Sequence, residues 1–243
     1  MTGLSANKIK WIRSLQQKKF RDEFDLFVIE GEKLVTEAIS TCPYAIELIV
    51  HTNRFSCPIN SQIETILTSE NDFKRISSLQ HPQGCLAILK KNKKQVFPEE
   101  KGLILALDSV QDPGNLGTIL RIADWFGIKQ VVCSHTTVDC YNPKVVQSSM
   151  GAVLRINIQY TQLETWLEKT NLPVYGALLE GSSIYKESLP EEAVIVMGNE
   201  GNGISEEVTT FVTHPVTIPS FGGSESLNVA VATGIIVSEF RRS

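Results

Sequence analysis

A small α/β unit followed by a parallel-sheet α/β domain is the fold class the sequence predicts, and three observations carry it. Short apolar runs rich in Val, Ile and Leu alternate along the chain with stretches of helical periodicity. In the second part these runs are nearly continuous, as in strands of a parallel sheet covered on both faces. Between the parts, Lys90 to Gly102 reads KKNKKQVFPEEKG, a lysine run with Pro98 and two glutamates, which is the composition of a linker. The boundary is placed at Phe97, giving domains of residues 1–97 and 98–243.

The first part opens with an amphipathic helical stretch from Ser5 to about Lys19, followed by an apolar run from Phe24 to Ile29. Helical patterns follow at Glu32 to Ile39 and around Asp72 to Leu79, with apolar runs at Ile46 to Val50 and Gly84 to Leu89. The second part predicts strands at Leu103 to Leu107, Val131 to Cys133, Arg155 to Ile158, Val174 to Leu178, Val194 to Met197 and Val216 to Ile218. Helices are expected at Asn115 to Phe126, Pro143 to Met150, Leu163 to Lys169 and Leu227 to Phe240. There is no internal repeat and no low-complexity tract.

The 243 residues are 42% hydrophobic and 21% charged, close to the average for soluble globular proteins, which excludes disordered and fibrous classes. The five cysteines form no C-x-x-C pair, so neither a disulfide framework nor a zinc site is expected, and a reducing cytoplasm is. No segment approaches the ~18–20 apolar residues of a membrane span, and the basic N-terminus has no apolar core of a signal peptide. The net charge of −4 conceals an asymmetry. Residues 1–97 carry 14 Lys and Arg against 10 Asp and Glu, net +4, while residues 98–243 carry 9 against 17, net −8. The basic groups cluster at Lys8, Lys10, Arg13, Lys18, Lys19 and Arg21 and again at Lys90, Lys91, Lys93 and Lys94. Such clusters are either a solvated face or a polyanion contact. Trp11 beside them either stacks on a base or is partly buried. His51, His81, His135 and His214 have no motif partner and are read as structural.

Ligands of open parallel sheets sit beyond the carboxyl ends of the strands, so the loops there are the candidate site. After Leu107 the chain runs DSVQDPGNLGTILRIADWFG; Asn115 is a suitable helix N-cap and Gly127 a stop. Arg121 sits among apolar Ile119, Leu120, Ile122 and Ala123, either paired with Asp124 at i+3 or held for function. After Met197 comes GNEGNGIS, whose glycines permit close backbone approach. Its order is not that of a dinucleotide loop, and Glu200 would repel a pyrophosphate. After Ile218 comes PSFGGSESLNVAVATG, where Ser226 or Asn228 caps the last helix and Ala230, Ala232 and Gly234 allow close packing.

Together the loops read N-x-G-x-x-x-R-x-A from Asn115, G-x-E-G-x-G-I-S from Gly198 and I-P-x-x-G-x-x-x-S-L-N-V-x-x-A from Ile218. In this order, each after a strand, they resemble the three motifs of the SpoU/TrmH class of SPOUT RNA 2′-O-ribose methyltransferases, over roughly Leu103 to Phe240. The first part, with FVIEGEKL from Phe27 to Leu34, is similar to the ribosomal-protein-like RNA-binding domain that many such enzymes carry. Ser220 stands where the family usually has Met, and Ala230 where Ser is common.

The resemblance implies a C-terminal trefoil knot, S-adenosylmethionine as cofactor, no metal, and a homodimer pairing through the knotted domain. It assigns Met197, Gly198, Gly203, Ile218, Pro219 and Leu227 to the cofactor, held largely by backbone groups at Gly198, Ile218 and Leu227. Arg121 is assigned to the phosphate and the developing alkoxide, while Asn115, Ser226 and Asn228 position ribose or arginine. Glu200 orients Arg121 or contacts the substrate, and Ser149 is a further addition. Lys8, Lys10, Arg13, Lys18 and Lys19 would hold RNA, ribosomal RNA in preference to tRNA. Two rivals stand beside this reading. A nucleotide-binding α/β enzyme needs a phosphate loop that SVQDPGN does not provide, and a non-catalytic RNA-binding relative is opposed by the intact set of polar residues.

Overall fold

The computed structural model describes residues 3–56, 62–92 and 101–242, which divide into two compact units. One comprises residues 1–93 with 141–154, the other residues 94–140 with 155–243. Thus 141–154, which the sequence assigns to the second domain, groups with the first unit. The expected boundary at Phe97, with Lys93, Lys94 and Pro98, lies outside the described residues.

The first unit begins with two helices, α1 (Ala6–Ser14) and α2 (Lys18–Phe24), where periodicity predicts a single one. Arg21 explains the break: it is 2% exposed, and its Nη1 donates to the carbonyls of Leu15 (3.0 Å) and Gln16 (2.8 Å). Those carbonyls, orphaned where α1 ends, are satisfied by a side chain rather than by continued helix. Then follow β1 (Leu26–Glu30), α3 (Glu32–Thr41), β2 (Ile46–His51), β3 (Thr65–Leu67), α4 (Glu70–Ile76) and β4 (Cys85–Lys90). The strands form one sheet in the order β1-β4-β2-β3, with β4 antiparallel to both neighbours and β3 parallel to β2. Helix α4 starts earlier than expected because Ser69 caps the Asp72 amide, and ends before Leu79 because Glu30 accepts from the Ser77 hydroxyl and the Ser78 amide (2.9 Å). Ile9, Ile12, Leu15, Leu48, Phe73, Leu86 and Ile88 form the core, each such side chain contributing about 1.5–3 kcal/mol when fully buried.

The second unit holds a six-stranded, wholly parallel sheet. Its strands are β5 (Leu103–Leu107), β6 (Gln130–Ser134), β7 (Asn157–Thr161), β8 (Val174–Ser183), β9 (Ala193–Met197) and β10 (His214–Thr217), in the order β10-β8-β9-β5-β6-β7. Every residue of β5 and β9 is buried, which accounts for their unbroken apolar runs. The helices are α5 (Pro113–Trp125), α8 (Leu163–Leu167), α9 (Glu206–Thr209) and α10 (Val229–Phe240); α6 (Pro143–Ser149) and α7 (Ala152–Arg155), except Arg155 itself, belong to the segment that groups with the first unit. One face of the sheet, with Ile104, Ala106, Val132, Val194 and Val196, packs against Leu163 and Leu167 of α8 and Val208 of α9. Expected β7 lies two residues further on, because Arg155 ends a helical turn and ion-pairs with Asp124 (2.9 Å). No helix of the described residues is long and apolar enough to cross a membrane.

Candidate functional site

The first loop is held from its base. Asp108, directly after β5, is 4% exposed, and its Oδ2 accepts from the Ser205 amide (2.8 Å) and hydroxyl (2.7 Å). Ser109 follows with φ of 59°, in the left-handed region that costs a non-glycine residue energy. The cap of α5 is Asp112, not Asn115: Asp112 Oδ1 accepts from the Asn115 amide (2.9 Å), and Pro113 occupies the first turn, where its missing N–H is harmless. Released from capping, the Asn115 side chain points elsewhere.

In the second loop the glycines serve the loop itself. A Cβ on Gly198 would lie 2.2 Å from the Gly203 carbonyl carbon, so the close approach expected toward a ligand is made to the chain's own backbone. Asn199 and Gly203 exchange both backbone hydrogen bonds (2.8 and 3.0 Å), with Gly203 at φ 71°. Asn199 Oδ1 accepts from the amides of Gly201 (2.9 Å) and Asn202 (3.1 Å), and its Nδ2 donates to the Ser109 carbonyl (2.8 Å). Ser205 closes the loop as N-cap of α9.

The third loop differs. From Pro219 to Leu227, among the described residues, the one hydrogen bond runs from the Ser220 hydroxyl to the Gly222 carbonyl (3.3 Å). Asn228 then caps α10, accepting from the amides of Ala230 (3.0 Å) and Val231 (3.3 Å), so of the two expected caps it is Asn228 that acts and Ser226 stays exposed.

Three motif residues meet in a relay. Asn228 Nδ2 donates to Asn115 Oδ1 (2.9 Å), and Asn115 Nδ2 donates to Glu200 Oε1 (2.9 Å). Residues 113 and 85 positions apart in sequence thus converge, one from each loop. Of the two contacts expected of Glu200, that with Arg121 is absent among the described residues; its oxygens accept from Asn115 and, at 3.4 Å, Asn199. Arg121 is exposed and makes no hydrogen bond or ion pair among the described residues, because Asp124, the partner expected at i+3, is taken by Arg155. Burial pulls the Arg155 guanidinium below its usual range.

Of the other assigned residues, Met197 is 2% exposed and its carbonyl accepts from the Asp108 amide (2.9 Å), while Ile218 and Pro219 are half-buried and Leu227 is exposed. Ser149 is fully buried and donates to the Val146 carbonyl (2.9 Å), so it offers no free hydroxyl. In the first unit, Lys10 and Arg13 are exposed. Lys8 lies 3.8 Å from Glu64 and over the half-buried Trp11 ring, Lys19 lies over Phe20, and Lys18 pairs with Asp22 at 2.5 Å. Burial opposes ionisation of Asp22, but hydrogen bonds from Lys18 and Lys91 prevail and lower its pKa. Arg21, counted with the basic cluster, is spent on the α1 terminus. Burial raises the pKa of the Tyr160 phenol and the Cys133 thiol, with Cys140 adding to both, so neither is an activated nucleophile.

Sequence reading passed over Asp108, Asn199 and Ser205. The available signals were a carboxylate directly after an apolar strand, and a serine directly before two glutamates, which is a helix-start pattern.

Comparisons with known proteins identify the family. Residues 102–238 match the model of the SpoU rRNA Methylase family, and residues 6–87 that of the MRM3-like substrate binding domain. The chain is 32% identical to the 23S rRNA (guanosine(2553)-2′-O)-methyltransferase RlmP of Bacillus subtilis, covering 96% of each. It is 43% identical to a TrmH-family protein of Porphyromonas gingivalis, over 99% of each chain with a TM-score of 0.90. It is 31% identical to an rRNA methyltransferase of Sinorhizobium meliloti solved with S-adenosylmethionine, covering 100% of this chain and 97% of that one, TM-score 0.88. The chain belongs to the SpoU rRNA methylase family.

Proposed function

We propose that this protein transfers a methyl group from S-adenosylmethionine to the 2′-hydroxyl of a guanosine ribose in 23S ribosomal RNA. The observation that carries the reading is the Asn228–Asn115–Glu200 relay, which gathers the three motif loops on the α5 helix that also bears the unpaired Arg121. The residues present fit the cofactor. Between Pro219 and Leu227 the backbone groups, apart from the Gly222 carbonyl, are unclaimed among the described residues, with the apolar side chains of Ile218 and Leu227 at the ends. Free backbone donors and acceptors beside apolar surface suit the edge and face of an adenosine. Met197 contributes through packing.

When bound, the cofactor would supply a methyl carbon on a positively charged sulfur: the ribose oxygen would form its bond to that carbon in line as the carbon–sulfur bond breaks to leave a neutral thioether, and the hydroxyl proton would pass to a base or to a phosphate oxygen of the RNA. The chain must orient that oxygen and stabilise its charge. Arg121 is permanently protonated, so it acts on the phosphate and the developing oxyanion and not as an ordinary base. The Asn115 amide, held at both ends, offers a fixed orientation, and the exposed Ser226 hydroxyl, without a partner among the described residues, is available to ribose. Lys10 and Arg13, with Lys8, Lys18 and Lys19, supply phosphate contacts from residues 1–97, which act as the RNA-binding domain beside a catalytic domain of 98–243.

Three further features follow from family membership and are part of the proposal. The C-terminal segment forms a trefoil knot, supported by the return of Asn228 to Asn115. The enzyme is a homodimer, supported by the exposure of Trp125 on α5 (85%) and Val231 on α10 (52%). It works in a reducing cytoplasm, in keeping with Cys42, Cys85, Cys133 and Cys140, which form no disulfide among the described residues.

The test is transfer of labelled methyl to unmodified 23S rRNA and to tRNA. Incorporation at a ribose of 23S rRNA is expected, and Arg121→Ala should lower it about a hundredfold or more while leaving S-adenosylhomocysteine affinity nearly unchanged. Incorporation into tRNA alone would replace the substrate, and joint loss of binding and transfer in the variant would remove the role of Arg121.

A further inference from the structure

The whole of the second motif loop hangs on two consecutive residues outside it. Asn199, at its start, donates to the Ser109 carbonyl, and Ser205, at its end, gives both its amide and hydroxyl to the Asp108 carboxylate. The Ser109 hydroxyl donates to the other carboxylate oxygen (3.1 Å) and meets Thr136 Oγ1 (2.6 Å), while the Ser109 amide donates to Ser134 Oγ (2.9 Å). The Asp108 amide in turn donates to the Met197 carbonyl at the end of β9. Asp108 is therefore bound to β9 by its backbone and to the far end of the following loop by its side chain.

Such burial of a carboxylate is costly unless hydrogen bonds compensate it, and here three donors reach one side chain. The strained φ of Ser109 is the second sign of an imposed geometry, since it aims the carbonyl at Asn199 while the preceding side chain faces Ser205. Between these anchors stands Glu200, whose carboxylate ends the relay from Asn228.

We propose that Asp108 is a positioning residue for methyl transfer: by clamping Ser205 it fixes the Gly198–Ser205 hairpin and so sets Glu200 against Asn115. The inference rests on the methyltransferase reading above. Asp108 is buried and both its carboxylate oxygens accept from Ser109 and Ser205, so its effect passes through the hairpin. A residue that only stabilises the fold would change the melting temperature alone, whereas a positioning residue couples to Glu200.

The experiment compares Asp108→Asn, Glu200→Gln and the double variant, by S-adenosylhomocysteine calorimetry and by single-turnover methyl transfer to 23S rRNA. Asp108→Asn retains the size and one acceptor oxygen. It should weaken S-adenosylhomocysteine about tenfold and slow transfer, and the further loss caused by Glu200→Gln should be much smaller in its background than in the wild type. Ser205→Ala, which removes one of the clamp's hydrogen bonds, should move both readouts the same way and by less, and covers the case in which Asp108→Asn does not fold. Unchanged ligand affinity and transfer in folded variants, or losses from Asp108 and Glu200 that simply multiply, would overturn the proposal. Absence of binding by the wild-type protein would instead overturn the methyltransferase reading.

Discussion

Two glycine-bearing loops of nearly equal length serve the same site, yet they are built in opposite ways. In Gly198–Ser205 the backbone closes on itself at Asn199 and Gly203, the Asn199 side chain caps two amides, and Asp108 and Ser109 grip both ends. In Pro219–Leu227 a single bond within the loop is present among the described residues, and Phe221 is 97% exposed. The difference shows that glycine has two uses here. In one loop it permits backbone to touch backbone, which fixes Glu200 in place; in the other it stands in a segment whose backbone groups are almost all left open among the described residues, as the proposed cofactor contact needs. Preorganised electrostatics belong to the first kind of loop, while ligand closure is drawn from weakly held segments.

The largest expected effect breaks the rigid loop. Gly198→Ala would place a methyl 2.2–2.4 Å from the backbone of Gly203 and Ile204, where no flexible side chain can yield. The Asn199–Gly203 pairing must open, and overpacking of this kind costs about 1–3 kcal/mol. Thermal unfolding should show that loss, with methyl transfer falling beyond what the stability change explains. A variant with wild-type stability and rate would mean that the hairpin tolerates the rearrangement and is not rigidly specified.

Hydrogen exchange sharpens the comparison without mutation. The amides of Asn199, Gly201, Asn202, Gly203 and Ser205 all have acceptors and should exchange slowly. Those of Ser220 to Leu227 have none among the described residues and should exchange at rates near those of unfolded chain. Adding S-adenosylhomocysteine should protect the second group and leave the first almost unaltered. Equal protection of both loops before ligand is added would remove the distinction.

The same contrast governs what could be read from the sequence. The buried strands were legible because five-residue runs such as Leu103–Leu107 and Ala193–Met197 have no polar face to confuse the pattern. Three-residue β3 and four-residue α9 were not, being shorter than any period that would mark them. Arg121 could be picked out as a charge that local structure did not need, whereas Asn115, Glu200 and Asn228 read singly as cap and turn residues and stood out only when the three motifs were taken together. Their relay could not, since it joins residues 85 and 113 positions apart, and the cap role foreseen for Asn115 falls to Asp112, three residues earlier. Arg21 misled for the converse reason: a charge in a basic cluster gives no sign that its partners are two backbone carbonyls beneath it.

The smallest effect belongs to Gly223→Ala, the counterpart of Gly198→Ala. Gly223 has no positive φ, and nothing lies within 4 Å of where a Cβ would stand, so stability should change by no more than about 0.5 kcal/mol. Its effect should fall on binding. Alanine restricts the free loop by about 0.4–1 kcal/mol relative to glycine, and a loop with less freedom to lose binds more tightly. Calorimetry should therefore find S-adenosylhomocysteine bound about two- to fivefold more strongly, the fold-change those energies correspond to. A tenfold weakening would show that the bound loop requires a conformation or a closeness only glycine allows. The third loop would then be as strictly specified as the second, with its specification realised only when the ligand is present.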